Sequence, residues 1–251
     1  MESLSNPQHI YAVALVFARM GSIIMLIPGI GESYIPPRIR LSMALALSLM
    51  LVPVLGRAIP IIPDAVSGVG GAVIKETLIG LMIGAILRLF MNSLAVAGEI
   101  VSIQTTLSFA QTANPSQNQP TTTLGTFLGL MGLVLIMTTD LHHMFIAALV
   151  KSYAIFPFSR AIQVADAGQL AVQTVGSSFA LGLQLAAPVV AFSLIFNVAT
   201  GLVGRVMPQF QIFFVAAPLM VLVGMSIFAL SLGVIGMVWV DHYRTLLSVF
   251  T

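Results

Sequence analysis

Cysteine is absent from the 251 residues, and charge is scarce: Lys, Arg, Asp and Glu together make up 7% of the chain. Without a thiol there is no disulfide framework, thiolate metal site, iron–sulfur cluster or cysteine nucleophile. A soluble domain carries about 25% charged residues, and a chain with so few has no means of covering a globule of its size with polar surface. A disordered chain shows the opposite bias. Ten basic and eight acidic residues leave a net charge of +2, too small to suggest nucleic-acid binding. The start, Met1 to His9, has no basic n-region, so a cleaved signal peptide is not expected and the first apolar run is expected to stay.

What fills the chain is hydrophobic side chain, 58% of it, in six apolar stretches. They run from about Ile10 to Ile27, Leu41 to Leu55, Val73 to Gln104, Leu124 to Val150, Val175 to Val203 and Ile212 to Val240. Runs of roughly 20 apolar residues predict membrane-crossing helices. Pro53 should bend or stop the second, Pro188 lies in the middle of the fifth, and Pro218 comes early in the sixth. No long repeat, extramembrane domain or charged tail interrupts the plan, which predicts one domain over residues 1–251. The expected fold is therefore all-α, a polytopic membrane protein of about six apolar helical segments, several kinked by proline.

Two features sit badly with six conventional spans. The basic residues of alternate loops give Arg38, Arg40 and Arg205 against Arg57, Lys151, Arg160 and Arg244, which is no orientation signal. Charges also lie inside apolar runs: Arg19 in the first, and Lys75, Glu76, Arg88 and Glu99 in the third. Each ionised side chain at a bilayer centre costs roughly 2.5–3.5 kcal/mol on insertion scales, so protein partners or water are expected around these helices.

Motifs for catalysis are missing. The sequence holds no HExxH, GxxxxGK or GxSxG. Gly176-Ser177-Ser178 lacks a well-placed histidine and reads as a helix N-cap before an apolar run. Asp140-Leu141-His142-His143 is the one cluster of metal-type side chains, but adjacent histidines on a helix point about 100° apart. A polar break or helix end is the preferred reading there. No catalytic, cofactor-binding or metal-ligating residue is assigned.

Small residues recur at packing distance, as in Gly80 and Gly84, Gly125 and Gly129, Ala44 and Ser48. Glu76, Gly80, Gly84 and Arg88 follow one another at i+4 along one side of a helix. That stripe suits a tight interface, either with another subunit or with the chain's own bundle. The most unusual stretch lies between the third and fourth runs. Ser102 to Thr123 holds fifteen uncharged polar residues among twenty-two and no charge, with Pro115 and Pro120 preventing a continuous helix. Such a composition suits a water-lined cavity or a pore constriction, where non-helical backbone finds partners.

These residues, taken in order, resemble the FliR family of flagellar export-gate proteins and SctT, its virulence type III secretion counterpart. The resemblance rests on Phe17-Ala18-Arg19 with Pro28, Ile35-Pro36 with Arg38, Pro53, and Lys75-Glu76 followed by Gly80 and Gly84. It continues through Ala97-Gly98-Glu99-Ile100, Gln104, Leu107-Ser108-Phe109-Ala110 and Pro115. Pro188, Asn197, Gly201-Leu202, Arg205, Pro208-Gln209, Pro218 and Gly224 complete it. The chain departs from the pattern at Thr106, where glycine is frequent, and at Asn114, where an acidic residue is frequent.

The resemblance implies a non-enzymatic subunit that needs no cofactor and assembles with FliP-like and FliQ-like subunits, with an FlhB-like switch subunit at the base. Its helices are expected as bent hairpins in a hetero-oligomeric gate that passes unfolded flagellar substrates across the bacterial inner membrane, at the flagellar basal body. The flagellar branch is favoured over the virulence one because the LSFA and PQ elements look closer to it. The family's plug maps onto Leu107 to about Thr123, with Leu107, Ser108, Phe109, Ala110, Gln111, Thr112, Asn114, Pro115, Gln117, Asn118 and Gln119 as its candidate residues. Lys75, Glu76, Arg88, Glu99, Arg205 and Gln209 are candidates for subunit contacts or intramembrane charge pairing. The rival from another class is a secondary transporter broken at Pro188 and Pro218, with a site near Asp140 or Glu99. The absence of a clear inverted repeat argues against it. An intramembrane hydrolase would need a nucleophile–base pair that is not found.

Overall fold

A computed structural model of the chain describes residues 6–32, 34–108, 122–159, 164–207, 209 and 211–248. Apolar runs in lipid satisfy their backbone groups internally only as helices or closed barrels. Among the described residues there is helix and no strand. In chain order the helices are α1 (Pro7–Leu26), α2 (Pro37–Leu55), α3 (Val66–Gln104), α4 (Thr123–Thr138), α5 (Leu141–Ile155), α6 (Val164–Val206) and α7 (Ile212–Ser248). Five of them are long and apolar enough to cross a membrane, and α4 and α5 taken together meet the same test. The chain is an all-α polytopic membrane protein.

Local chemistry sets the helix ends. Asn6 caps α1, its side-chain oxygen accepting from the Gln8 backbone N–H at 3.0 Å, with Pro7 at the first helical position. Pro53 leaves α2 only two more residues before a 3₁₀ turn, Gly56–Ala58. Thr122 caps α4 by accepting from Gly125 N–H. In contrast, α6 continues past Pro188 as one helix of 43 residues.

The fourth apolar run is two helices, broken at Thr139-Asp140 where a polar break or helix end was expected. Asp140 adopts the left-handed conformation, φ 58°, which starts a new helix axis. Three other boundaries move outward. α3 begins at Val66 rather than Val73, through three glycines; at Gly68 a Cβ would lie 2.8 Å from the Pro63 ring, so the returning chain packs where there is no side chain. α6 begins at Val164, inside the stretch expected as a linker, and α7 continues into the expected tail to Ser248. Ser177 and Ser178 accordingly lie inside α6, and the N-cap reading is overturned.

The fold divides into two compact units. The first comprises Met1–Phe90, Asp140–Val175 and Leu246–Thr251, and the second Met91–Thr139 and Gly176–Thr245. α3, α6 and α7 contribute residues to both. In the first unit α1 is the central helix, with Leu15, Val16, Met20 and Ile23 fully enclosed. The second has Leu94, Leu128, Ile136, Ala186 and Trp239 in its core. Coverage is uneven. The most apolar window of α3 is 56% buried, but those of α2 and α7 are 17% and 22% buried, leaving two broad apolar helix faces for lipid or other proteins.

Candidate functional site

The first unit is organised around a charge that an apolar bundle should not tolerate alone. Arg19, on α1, is completely buried. Its Nε donates to Glu76 Oε2 of α3 at 2.7 Å, and Nη2 lies 2.6 Å from the same oxygen. Nη1 donates to the Ser152 carbonyl at 3.0 Å and Nη2 to the Phe156 carbonyl at 2.8 Å. Both carbonyls belong to the C-terminal end of α5, where the negative end of the helix dipole favours a cation. The guanidinium carbon also stands 4.1 Å from the Tyr153 ring centroid and 5.5 Å from that of Phe158. The next residue on α3, Lys75, donates from Nζ to the Phe158 carbonyl. One arginine thus ties α1, α3 and the end of α5 together, and lysine adds the segment beyond.

Glycines bring the helices close enough for this. A Cβ at Gly80 would sit 2.5 Å from the Arg19 carbonyl oxygen, and one at Gly84 would sit 2.8 Å from Leu26 Cβ. Glu76, Gly80 and Gly84 therefore face α1 of the same chain. Of the two interfaces open to this stripe, the chain's own bundle takes these three positions. Arg88, one step further, is half-buried.

The second unit is held by uncharged contacts. A Cβ at Gly98 would fall 2.5 Å from Gly125 N, so α3 and α4 touch backbone to backbone. Gly182 of α6 has the same relation to the Ser93 carbonyl, at 2.9 Å. At the end of α3, Ser193 Oγ donates to Gln104 Oε1 at 2.9 Å. Thr105 is buried, bonded through Oγ1 to the Val101 carbonyl, and its methyl fills the space above Gly224. Thr106 follows in the left-handed region at φ 59°. The chain entering the expected plug is therefore anchored to α6 and α7 at two successive residues before it turns.

Leu107 and Ser108 continue from this turn and are half-buried. Phe109, Ala110, Gln111, Thr112, Asn114, Pro115, Gln117, Asn118 and Gln119 lie outside the described residues. Glu99, Arg205 and Gln209 are exposed on the chain surface. Near the last two, Phe196, Val203, Met207, Ile212, Val215 and Leu219 line an apolar groove of about 310 Å³.

Arg19 is the residue that sequence reasoning left off the site. Its signal was present: a lone arginine in an apolar run needs a buried acceptor, and Glu76 is one of the few acids inside another run. Which acid it meets is a tertiary fact.

The arrangement defines a multi-helix membrane protein whose internal charge serves to join helices and whose outer faces are apolar. The sequence matches the family model for bacterial export proteins, family 1, over residues 10–246. It is 61% identical to the flagellar biosynthetic protein FliR of Caulobacter vibrioides, each chain being covered in full. The FliR protein of Aquifex aeolicus is 28% identical, over 100% of this chain and 96% of its own, and that of Escherichia coli 29% identical, over 84% and 80%. The chain belongs to the FliR family of bacterial export proteins.

Proposed function

We propose that the chain is a non-enzymatic pore subunit of the flagellar type III export gate. It sits in the bacterial inner membrane at the flagellar basal body and assembles with FliP-like and FliQ-like subunits and an FlhB-like switch subunit. In this reading it lines and plugs the path taken by unfolded flagellar substrates. The single observation that carries the reading is the full-length, 61% identity to a flagellar biosynthetic protein. The broad apolar faces of α2 and α7 support it, because a chain that covers so little of its own helices has surface to give to neighbours. Exposed Glu99, Arg205 and Gln209 are available for subunit contacts, and half-buried Arg88 is assigned to the same role.

Plugging is assigned to Leu107 to about Thr123. Amides and hydroxyls close the path through many weak hydrogen bonds, and a lining without charge neither traps nor repels a passing chain of either sign. Deleting Gln111 to Gln119 is expected to raise ion leakage through a correctly assembled gate, read by conductance in planar bilayers. Unchanged leakage in an intact complex overturns the plug.

The reading as a whole is tested by native mass spectrometry of the detergent-purified chain, expressed with and without its FliP- and FliQ-like neighbours. A large complex that forms only in their presence is the expected result. A monomer or homodimer indifferent to them overturns it.

A further inference from the structure

Asp140 and His143 have the i, i+3 spacing that puts side chains on one helix face, and His142 joins them at the helix break. Asp140, His142 and His143 each offer one ligand atom, and these atoms all lie within 4.8 Å of one another. His142 and His143 both lie in the first turn of α5, and their side chains lean together rather than diverging. Their ring centroids are 4.1 Å apart and the planes are inclined by 38°.

Among the described residues, neither Asp140 nor His142 commits its ligand atom to a close hydrogen bond. Asp140 occupies the N-cap position of α5, where an aspartate usually accepts from the backbone of the first turn, yet its side chain makes no capping bond. Its Oδ1 stands 3.5 Å from His143 Nδ1, too far for a good hydrogen bond. His142 Nδ1 is buried and lacks a hydrogen-bond partner among the described residues, an arrangement that ordinarily costs about 1–3 kcal/mol.

We propose that Asp140, His142 and His143 bind a divalent transition-metal ion of the Zn²⁺ class. Two imidazole nitrogens and one carboxylate oxygen suit Zn²⁺, Co²⁺ or Ni²⁺, whereas Mg²⁺ and Ca²⁺ select oxygen alone. Ligands of a tetrahedral ion lie roughly 3.4 Å apart for bonds near 2.1 Å, so the cluster closes by small side-chain rotations. The Asp140 and His143 side chains are 77% and 70% exposed, which gives an ion a way in and leaves room for water in its remaining positions. Bound there, the ion fastens the left-handed turn that starts α5. The inference is independent of the export reading.

The test uses the full chain in detergent, carrying a tag without histidine and stripped with a chelator. Co²⁺ is titrated and followed by its visible absorption bands, then displaced by Zn²⁺. One equivalent is expected to bind, and His143→Ala and Asp140→Asn should each weaken it at least about tenfold. The chain's other histidines, His9 and His242, serve as the control: the double change His9→Ala/His242→Ala should leave binding intact. Zn²⁺ should also raise the Tm of the native chain but not of His143→Ala, whose exposed side chain can be removed without disturbing the fold. Absence of saturable one-equivalent binding to the native chain overturns the proposal. So does affinity unchanged in both His143→Ala and Asp140→Asn.

Discussion

The two compact units solve the same problem, holding helices together where lipid removes the hydrophobic drive, with different chemistry. The first uses a buried ion pair with aromatic and carbonyl partners around one guanidinium. Glycines bring helices together in both units, but the second joins them across α3 and α6 with a neutral Ser193–Gln104 bond instead of a charge. A buried charge is safe only while every partner is present, so the first unit is an all-or-none lock. Uncharged contacts fail one at a time, which leaves the second unit tolerant of change. That difference suits their places in the sequence, because the second unit carries the turn into the expected plug.

The contrast is sharpest at the ion pair. Removing one member of a buried pair strands the other, typically at 3–5 kcal/mol. Arg19→Met and Glu76→Gln should each lower the thermal midpoint of the purified chain far more than any change in the second unit. Arg19→Met additionally leaves the Ser152 and Phe156 carbonyls without this donor. Combining Arg19→Met with Glu76→Met removes both charges, and the double variant should be less damaged than Arg19→Met alone. Additive losses would mean that the pair is not the lock described.

Backbone contact in the second unit comes next. Alanine at Gly98 places a methyl 2.5 Å from Gly125 N, and overpacking of this kind costs about 1–3 kcal/mol. Gly129, one turn along α4, has nothing within 4 Å of its Cβ position. There alanine should be harmless or stabilise by roughly 0.5–1 kcal/mol through the lost freedom of the unfolded chain. Opposite signs at two helical glycines, read as Tm shifts, are the expected result. Below both lies Ser193→Ala, which removes one neutral interhelical hydrogen bond, worth about 0.6 kcal/mol in membrane proteins.

How much of this the residues disclosed depends on whether the cause was local. The apolar runs are visible because hydropathy is a sum over neighbours, and α1 and α2 end close to where their prolines and caps say they should. The i+4 stripe of Glu76, Gly80 and Gly84 was equally plain. Its partner was not, because Arg19 is 57 residues away and spacing says nothing about what faces a helix. The break at Asp140 was legible as a polar interruption of the fourth run, because its cause is local. Its left-handed backbone was not, since an aspartate adopts that conformation only where the chain around it requires it. Gly176-Ser177-Ser178 failed in the opposite direction: small polar residues that favour caps were absorbed into the interior of a 43-residue helix.

The smallest expected effect tests the joint where the second unit gives way to the expected plug. Thr106 is held at φ 59°, a region that costs an L-residue roughly 1–2 kcal/mol, and a β-branched side chain fits it poorly. Glycine enters it without strain but loses about 0.5–1 kcal/mol more conformational freedom on folding than alanine does. These terms nearly cancel, and Thr106→Gly should stabilise the chain by only about a few tenths of a kcal/mol. Asp140 shares the same φ in the first unit, but a short polar side chain tolerates it better, so Asp140→Gly should gain less. The position matters because Gln104 and Thr105 are anchored and the turn is the first residue free to choose another conformation. A measurable loss on Thr106→Gly, read as a lowered Tm, would show that the threonine side chain itself holds the turn. A gain would identify residue 106 as a strained joint, kept apart from the rigid contacts that precede it.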